Sequence, residues 1–155
     1  MARVEDMLAW KAFWAVWRAL KLIRRARGYN TSPYVTDDMA DALSSDARAV
    51  LFLDVVSHGR IDRELSGGWT QALVIGISGT VRLQPGESPR REALALEQDV
   101  RNAVRAAQST IQAAMGRGNA FDWTVCEHDR GMLAEARQAG FYLEAELVYK
   151  QGSTF

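Results

Sequence analysis

Residues 69–83 read WTQALVIGISGTVRL, and their alternation decides the fold. The odd positions Trp69, Leu73, Ile75, Ile77, Val81 and Leu83 are large and apolar, broken only by Gln71 and Gly79. The even positions Thr70, Ala72, Val74, Gly76, Ser78, Thr80 and Arg82 are mostly small or polar. Successive side chains of a strand point to opposite faces, so this period of two predicts a central strand with its odd face buried. A helix is excluded. Gly76 and Gly79 would each cost it about 1 kcal/mol, and the β-branched residues would crowd its turns.

Working outward, residues 48–56, RAVLFLDVV, are almost continuously apolar and predict the preceding strand. Between the two lies residues 57–68, SHGRIDRELSGG, expected to be a long charged loop. After the central strand, Pro85-Gly86 makes a turn, and Ser88 with Pro89 opens a long helix. Leu96, Val100, Ala103, Val104, Ala107, Ile111 and Ala114 form its apolar stripe, ending at Gly116 and Gly118. Two further alternating runs follow. Phe121, Trp123 and Val125 share one expected face, and Phe141, Leu143, Ala145, Leu147 and Tyr149 share another. Between them, residues 127–138 are ambiguous, with a turn at Asp129-Arg130-Gly131.

At the other end, residues 3–27 predict a first long helix with Trp10, Phe13, Trp17, Leu20 and Ile23 on one face. Glu5 and Asp6 suit its first turn, Arg24, Arg25 and Arg27 its last, and Gly28 its C-cap. Trp14 and Leu22 fall off the stripe, which makes Trp14 and the basic rim around it a candidate contact with a neighbouring subunit. Residues 29–47 form an acidic turn region with Asp37, Asp38, Asp41 and Asp46, a short edge strand at Tyr34 and Val35, and a helical turn. The predicted architecture is α+β: an antiparallel or mixed sheet of about four strands with two long helices packed on one face.

The 155 residues fit one domain, and 19 basic residues against 19 acidic ones give no global charge that would imply wholesale nucleic-acid binding. Five Trp mildly favour a protein that meets other proteins. A lone cysteine, Cys126, excludes an internal disulfide and suits a reducing compartment. No apolar run approaches the roughly 20 residues of a membrane span, and no cleavable leader is legible. A soluble intracellular product is expected.

Signatures of chemistry are missing from the sequence. His58 and His128 make no recognised ligand spacing, although Cys126 and His128 would share a side of a strand. Gly76-Ile77-Ser78-Gly79 lacks the spacing of a nucleophile elbow, and Gly116-Arg117-Gly118 follows a helix instead of opening one. Arg90 and Arg91 sit where the helix dipole disfavours them, which points to a partner carrying negative charge. No cofactor or metal is expected, and no enzymatic activity.

Several short motifs resemble the tail terminator (tail completion) proteins of long-tailed bacteriophages. They are the turn Gly28-Tyr29-Asn30-Thr31 after the first helix, the apolar strand 49–56 and the charged loop with its long alternating strand. The Leu…Asp-Val pattern from Leu94 to Val100 and the closing aromatic strand 143–149 complete the set. Arg48-Ala49 stands where the family often has Pro-Ala, and Met115-Gly116-Arg117-Gly118 where it has Leu-Gly-Gly.

The resemblance implies a non-enzymatic virion protein, assembled in the host cytoplasm, that closes a homo-hexameric ring on the tail tube. It also implies contacts with the tail tube protein and with a head-completion or connector protein, with DNA passing through the lumen without specific binding. On this reading the interface candidates are His58, Arg60, Asp62, Arg63 and Glu64 in the charged loop, Trp14, Arg90 and Arg91 on the helices, and Ser78 and Thr80 on the even face of the central strand. Two other readings stay open: another head–tail connector or minor tail protein, and a small ligand-binding or enzymatic α/β domain using Cys126 and His128.

Overall fold

The structure is a computed structural model that describes residues 7–63, 69–115, 120–128 and 137–151. In chain order the elements are α1 (Leu8–Lys21), β1 (Tyr34–Thr36), α2 (Met39–Ser44), β2 (Ala49–Arg63), β3 (Trp69–Arg82), α3 (Pro89–Ala106), α4 (Gln108–Met115), β4 (Ala120–His128) and β5 (Gln138–Gln151). The strands form one five-stranded sheet in the order β1-β2-β3-β5-β4. β1 runs parallel to β2, joined through α2, and every other pairing is antiparallel. The sheet is therefore mixed, and the α+β architecture expected from the sequence is the one observed.

β3 is the middle strand, as its alternation predicts. Leu73, Ile75 and Ile77 are essentially inaccessible to water, and Val81 nearly so. Opposite them on β5, Leu143, Ala145, Leu147, Phe141 and Tyr149 are buried on the same face. α3 and α4 cover that face with Leu96, Val100, Ala103, Val104 and Ile111, α1 adds Phe13, Val16 and Leu20, and Ile23 follows just beyond the end of α1. Burying each large aliphatic side chain contributes about 1.5–3 kcal/mol relative to leaving it in water, so this one face supplies most of the apolar driving force. Gly79 belongs to the buried face because the Phe141 ring lies directly across it, where a Cβ would stand.

Several boundaries differ from the sequence expectations. α1 stops at Lys21 because Arg24 is extended, and a separate 3-10 turn, Arg25–Arg27, follows. Gly28, with φ of 90°, closes that turn instead of the α-helix. The second long helix is broken at Ala107, yet Ala107 still donates to Ala103 and accepts from Ile111, so Ile111 stays in the core. Its start is as expected, with Ser88 accepting from the Arg91 amide and Pro89 at the first position. Glu5, Asp6, Gly116, Gly118 and the turn at 129–131 lie outside the described residues.

The largest correction concerns residues 57–68. Residues 57–63 are not loop; they continue β2 along β3, with Ser57 opposite Val74 and Arg63 opposite Trp69. Two bulges make this possible, one between Val55 and Ser57 and one between Arg60 and Asp62. Each inserts an extra residue and exchanges the faces of the residues that follow. The polar composition of 57–63 hid the strand, because its pairing rests on backbone groups rather than on an apolar face.

Candidate assembly surfaces

Residues 50–52 of β2 pair with β1 on one side and β3 on the other, whereas 53–63 have only β3 as a strand neighbour among the described residues. At about 3.4 Å per residue this is roughly 35 Å of edge. Val55 and Val56 on it are exposed, at 44% and 47%. A long edge bearing exposed valines is the kind of surface that isolated proteins usually blunt.

The face exchange at the first bulge decides where His58 lies. It comes opposite Leu73, on the helix side, and its ring stacks on Tyr149 at 5.9 Å and 23°. His58 Nε2 and the Tyr149 hydroxyl share a hydrogen bond, and burial pushes the Tyr149 phenol up from its ordinary value. His58 is thus a clasp between β2 and β5 across β3. Arg60, Asp62 and Arg63 are placed by backbone register alone, opposite Gln71, Thr70 and Trp69. Glu64 lies outside the described residues.

The even face of the sheet is half-buried. Ser78 lies between Phe52 and Tyr142, and Thr80 between Val50 and Gly140. The small residue Gly76 does not leave the open approach its size suggests. A Cβ there would meet the Tyr142 hydroxyl at 2.8 Å and Val56 Cγ2 at 2.9 Å, so the chain fills that space itself. Tyr142 donates to Glu144 at 3.0 Å. Burial, that bond and the charges of Glu144, Asp54 and Glu127 push its phenol up to about 12.

Trp14 stands 43% exposed on α1 within a ladder of rings. Trp10 stacks on both Phe13 and Trp14 near 6 Å, and Trp14 tilts against Trp17 at 5.7 Å. Lys21 Nζ lies 5.1 Å over the Trp17 ring. Arg90 and Arg91 are exposed on the first turn of α3, and neither makes an ion pair among the described residues. Trp14, Arg90 and Arg91 therefore belong to helix surfaces, His58 and Arg60 to the β2 arm, and Ser78 and Thr80 to the opposite face. The candidates do not converge on one site.

A bulge also governs β4. Trp123 comes opposite Ala145, Val125 opposite Glu144 and Cys126 opposite Leu143, with the shift falling between Trp123 and Val125. Trp123 and Cys126, three apart, consequently both reach α3, against the plain alternation expected for this strand. Arg101 lies 5.2 Å from the Trp123 ring, and the Cys126 thiol donates to Glu97 at 3.2 Å. Glu97 also accepts from Arg101 at 3.4 Å. Partial burial, and then Glu97, push the Cys126 thiol up, away from the reactive thiolate. Among the described residues no group of three or more His, Cys, Asp or Glu is arranged to hold a metal ion; the His128 side chain lies outside them.

Sequence reasoning met Asp99 only as a member of the Leu…Asp-Val pattern and missed its place in the core. It lies in α3 at core spacing, three residues after Leu96 and four before Ala103, and is 1% exposed. Its Oδ1 accepts from the Asn30 amide at 3.1 Å and from Asn30 Nδ2 at 3.0 Å. Its Oδ2 accepts from the Thr31 amide at 2.8 Å and the Thr31 hydroxyl at 2.5 Å. A carboxylate set among apolar stripe positions was the available signal, since such a group is retained only with partners.

Among the described residues no helix is long and apolar enough to cross a membrane. No family model matches the chain, and no curated protein matches it. Among solved structures it is similar to the sheath/tube terminator, in the extended state, of an extracellular contractile injection system (PVC). The TM-score is 0.38 and the identity 12%, over 98% of this chain; the match spans 58% of the length of that chain.

Proposed function

We propose that this chain is a structural, non-enzymatic virion protein of the tail terminator type, which closes a homo-hexameric ring on the end of a phage tail tube and offers the surface to which the head is joined. The observation that carries this reading is the β2 arm: residues 53–63 extend along β3 with no second strand beside them among the described residues and Val55 and Val56 exposed, the Val55 amide being held by its neighbour Asp54 at 2.8 Å. Such an edge suits a contact with another protein, and the tail tube protein is the partner assigned to it here. The motif resemblance is supported by a physical link. Asn30-Thr31 and Asp99, from two of the short motifs that suggested the family, are bonded to each other.

On this reading the face holding Ser78 and Thr80 lines the lumen, where DNA passes without specific contacts, and the exposed Arg90 and Arg91 meet the head-completion or connector protein. The ring lies at the head–tail junction of the virion after assembly in the host cytoplasm. The test is the mass of the purified protein by light scattering together with negative-stain images. Six-membered rings that bind isolated tail tubes are expected. A strict monomer at high concentration, with no affinity for tubes, overturns the reading.

A further inference from the structure

Two surfaces of the subunit are apolar, exposed and charged with opposite sign. The first is the outer stripe of α1. Met7, Lys11, Trp14, Arg18 and Lys21 follow each other at helical steps of three and four, and Leu22 comes four after Arg18, so the six share one side of α1 and its two caps. Met7, Trp14 and Leu22 are exposed, at 44%, 43% and 47%. The interleaved charges are all positive and all exposed.

The second surface surrounds α2. Leu43 is 78% exposed and Met39 53%, with Tyr34 beside them on β1. Asp37, Asp38 and Asp46 are exposed around them. Asp38 also caps α2 by accepting from the Ala40 and Asp41 amides, and Asp41 is engaged by the Tyr34 hydroxyl at 2.6 Å. This side of the molecule is built from carboxylates and apolar tips, with Asp38 and Asp41 helping to hold its fold and Asp37 and Asp46 exposed beside them.

Among the described residues no ion pair joins the two surfaces within the chain. The formal net charge of the whole chain is +0. The charges are thus segregated rather than few. The first surface carries only cations and the second mainly carboxylates, with Arg82 at its border donating to the Ser45 and Asp46 carbonyls, and both carry apolar groups that water alone would leave unburied. Opposite potentials around apolar anchors give orientation and register to a protein contact.

We propose that neighbouring copies of this chain join head to tail, the α1 stripe of one copy seated on the α2 surface of the next. The proposal rests on the ring reading above and names the joint that would close it. Because the two patches differ, the contact is heterologous, and repeating it by a fixed rotation generates a closed ring. Trp14 is its aromatic anchor and Leu43 the apolar group opposite, while Lys11 and Arg18 face Asp37 and Asp46.

Charge exchange tests the joint. Lys11→Glu with Arg18→Glu makes one variant, and Asp37→Lys with Asp46→Lys the other; none of the four residues is buried. Each variant alone is expected to keep its circular dichroism but to fall from the mass of the ring to the 17.2 kDa of one chain. The two variants mixed in equal amounts, and the chain carrying all four substitutions, are expected to recover the ring, since each then presents opposite charges again. Rings that survive either pair of substitutions overturn the joint and leave the ring reading standing. Loss of the ring without recovery in the mixture or the fourfold chain also overturns it. A wild-type chain that is monomeric at high concentration overturns the joint, and one that also has no affinity for tubes overturns the ring reading with it, as does a chain whose α1 stripe instead carries it onto anionic phosphatidylserine vesicles.

Discussion

Asp99 in the middle of α3 and Thr31 in the turn after α1 form a two-point clasp: one carboxylate oxygen accepts both the Thr31 amide and the Thr31 hydroxyl. The other oxygen holds Asn30 in the same way. The clasp ties segments nearly seventy residues apart and fixes where the chain leaves the helical layer to enter β1. It also places a buried charge in the apolar stripe, where desolvation makes every one of its four bonds matter.

Asp99→Ala removes the acceptor and leaves the Thr31 hydroxyl and buried amide without their partner. Unsatisfied buried groups cost about 1–3 kcal/mol each, so a loss on the order of 3 kcal/mol or more in urea unfolding is expected. Thr31→Val removes one donor only and is expected to cost about 1 kcal/mol. A loss under about 0.5 kcal/mol for Asp99→Ala would show that water replaces the carboxylate there, against the burial described.

Gly79 and Phe141 face each other across β3 and β5, the ring occupying the space of a side chain that glycine lacks. Gly79→Ala forces the ring, which is 4% exposed, to move within a packed core. Overpacking of this kind costs about 1–3 kcal/mol. Phe141→Leu in the same chain is expected to relieve part of that cost, giving a coupling of about 0.5 kcal/mol or more in a double-mutant cycle. Strictly additive losses would mean that the two residues do not share the space.

How far the fold could be read beforehand follows from these elements. The alternation of β3 and β5 and the stripe of α3 were legible because an unbroken period reports burial directly. The bulges in β2 and β4 were not, because a bulge exchanges the faces without needing a distinctive residue. The sequence accordingly assigns His58 to a loop when it stacks on Tyr149, and groups Val125 with Phe121 and Trp123, from which the β4 bulge separates it. Trp14 was legible as an off-stripe residue by simple helical geometry. The burial of Asp99 is hidden because charge within a helix ordinarily marks the solvated side, and only its spacing says otherwise.

The phenol of Tyr142 provides a pH signature. Burial, and then the Glu144 hydrogen bond, push it up to about 12, whereas an unfolded chain ionises tyrosine near ~10. The folded state therefore favours the neutral phenol. Its contribution to stability is fully present below about pH 10 and is lost as pH rises toward 12. Absorbance of tyrosinate during alkaline titration is expected to show a late step that Tyr142→Phe removes and Glu144→Gln moves to lower pH. A single step near ~10 for all four tyrosines would contradict this environment.

The β2 arm and the α1–α2 joint divide the proposed work between tube binding and ring closure, and Val55 separates them. It is 44% exposed, opposite Ile75, on the edge that lacks a second strand neighbour among the described residues. Val55→Lys places a solvated charge on that edge, the device by which natural sheets discourage strand addition. Stability is expected to change by no more than about 0.5 kcal/mol, as for other exposed positions. Light scattering should return the same ring as for the wild type, because the joint lies elsewhere. Cosedimentation with isolated tail tubes should fall at least tenfold. If the Val55→Lys ring binds tubes as the wild type does, the arm is not the tube contact. If instead the ring itself is lost, the arm belongs to the contact between subunits.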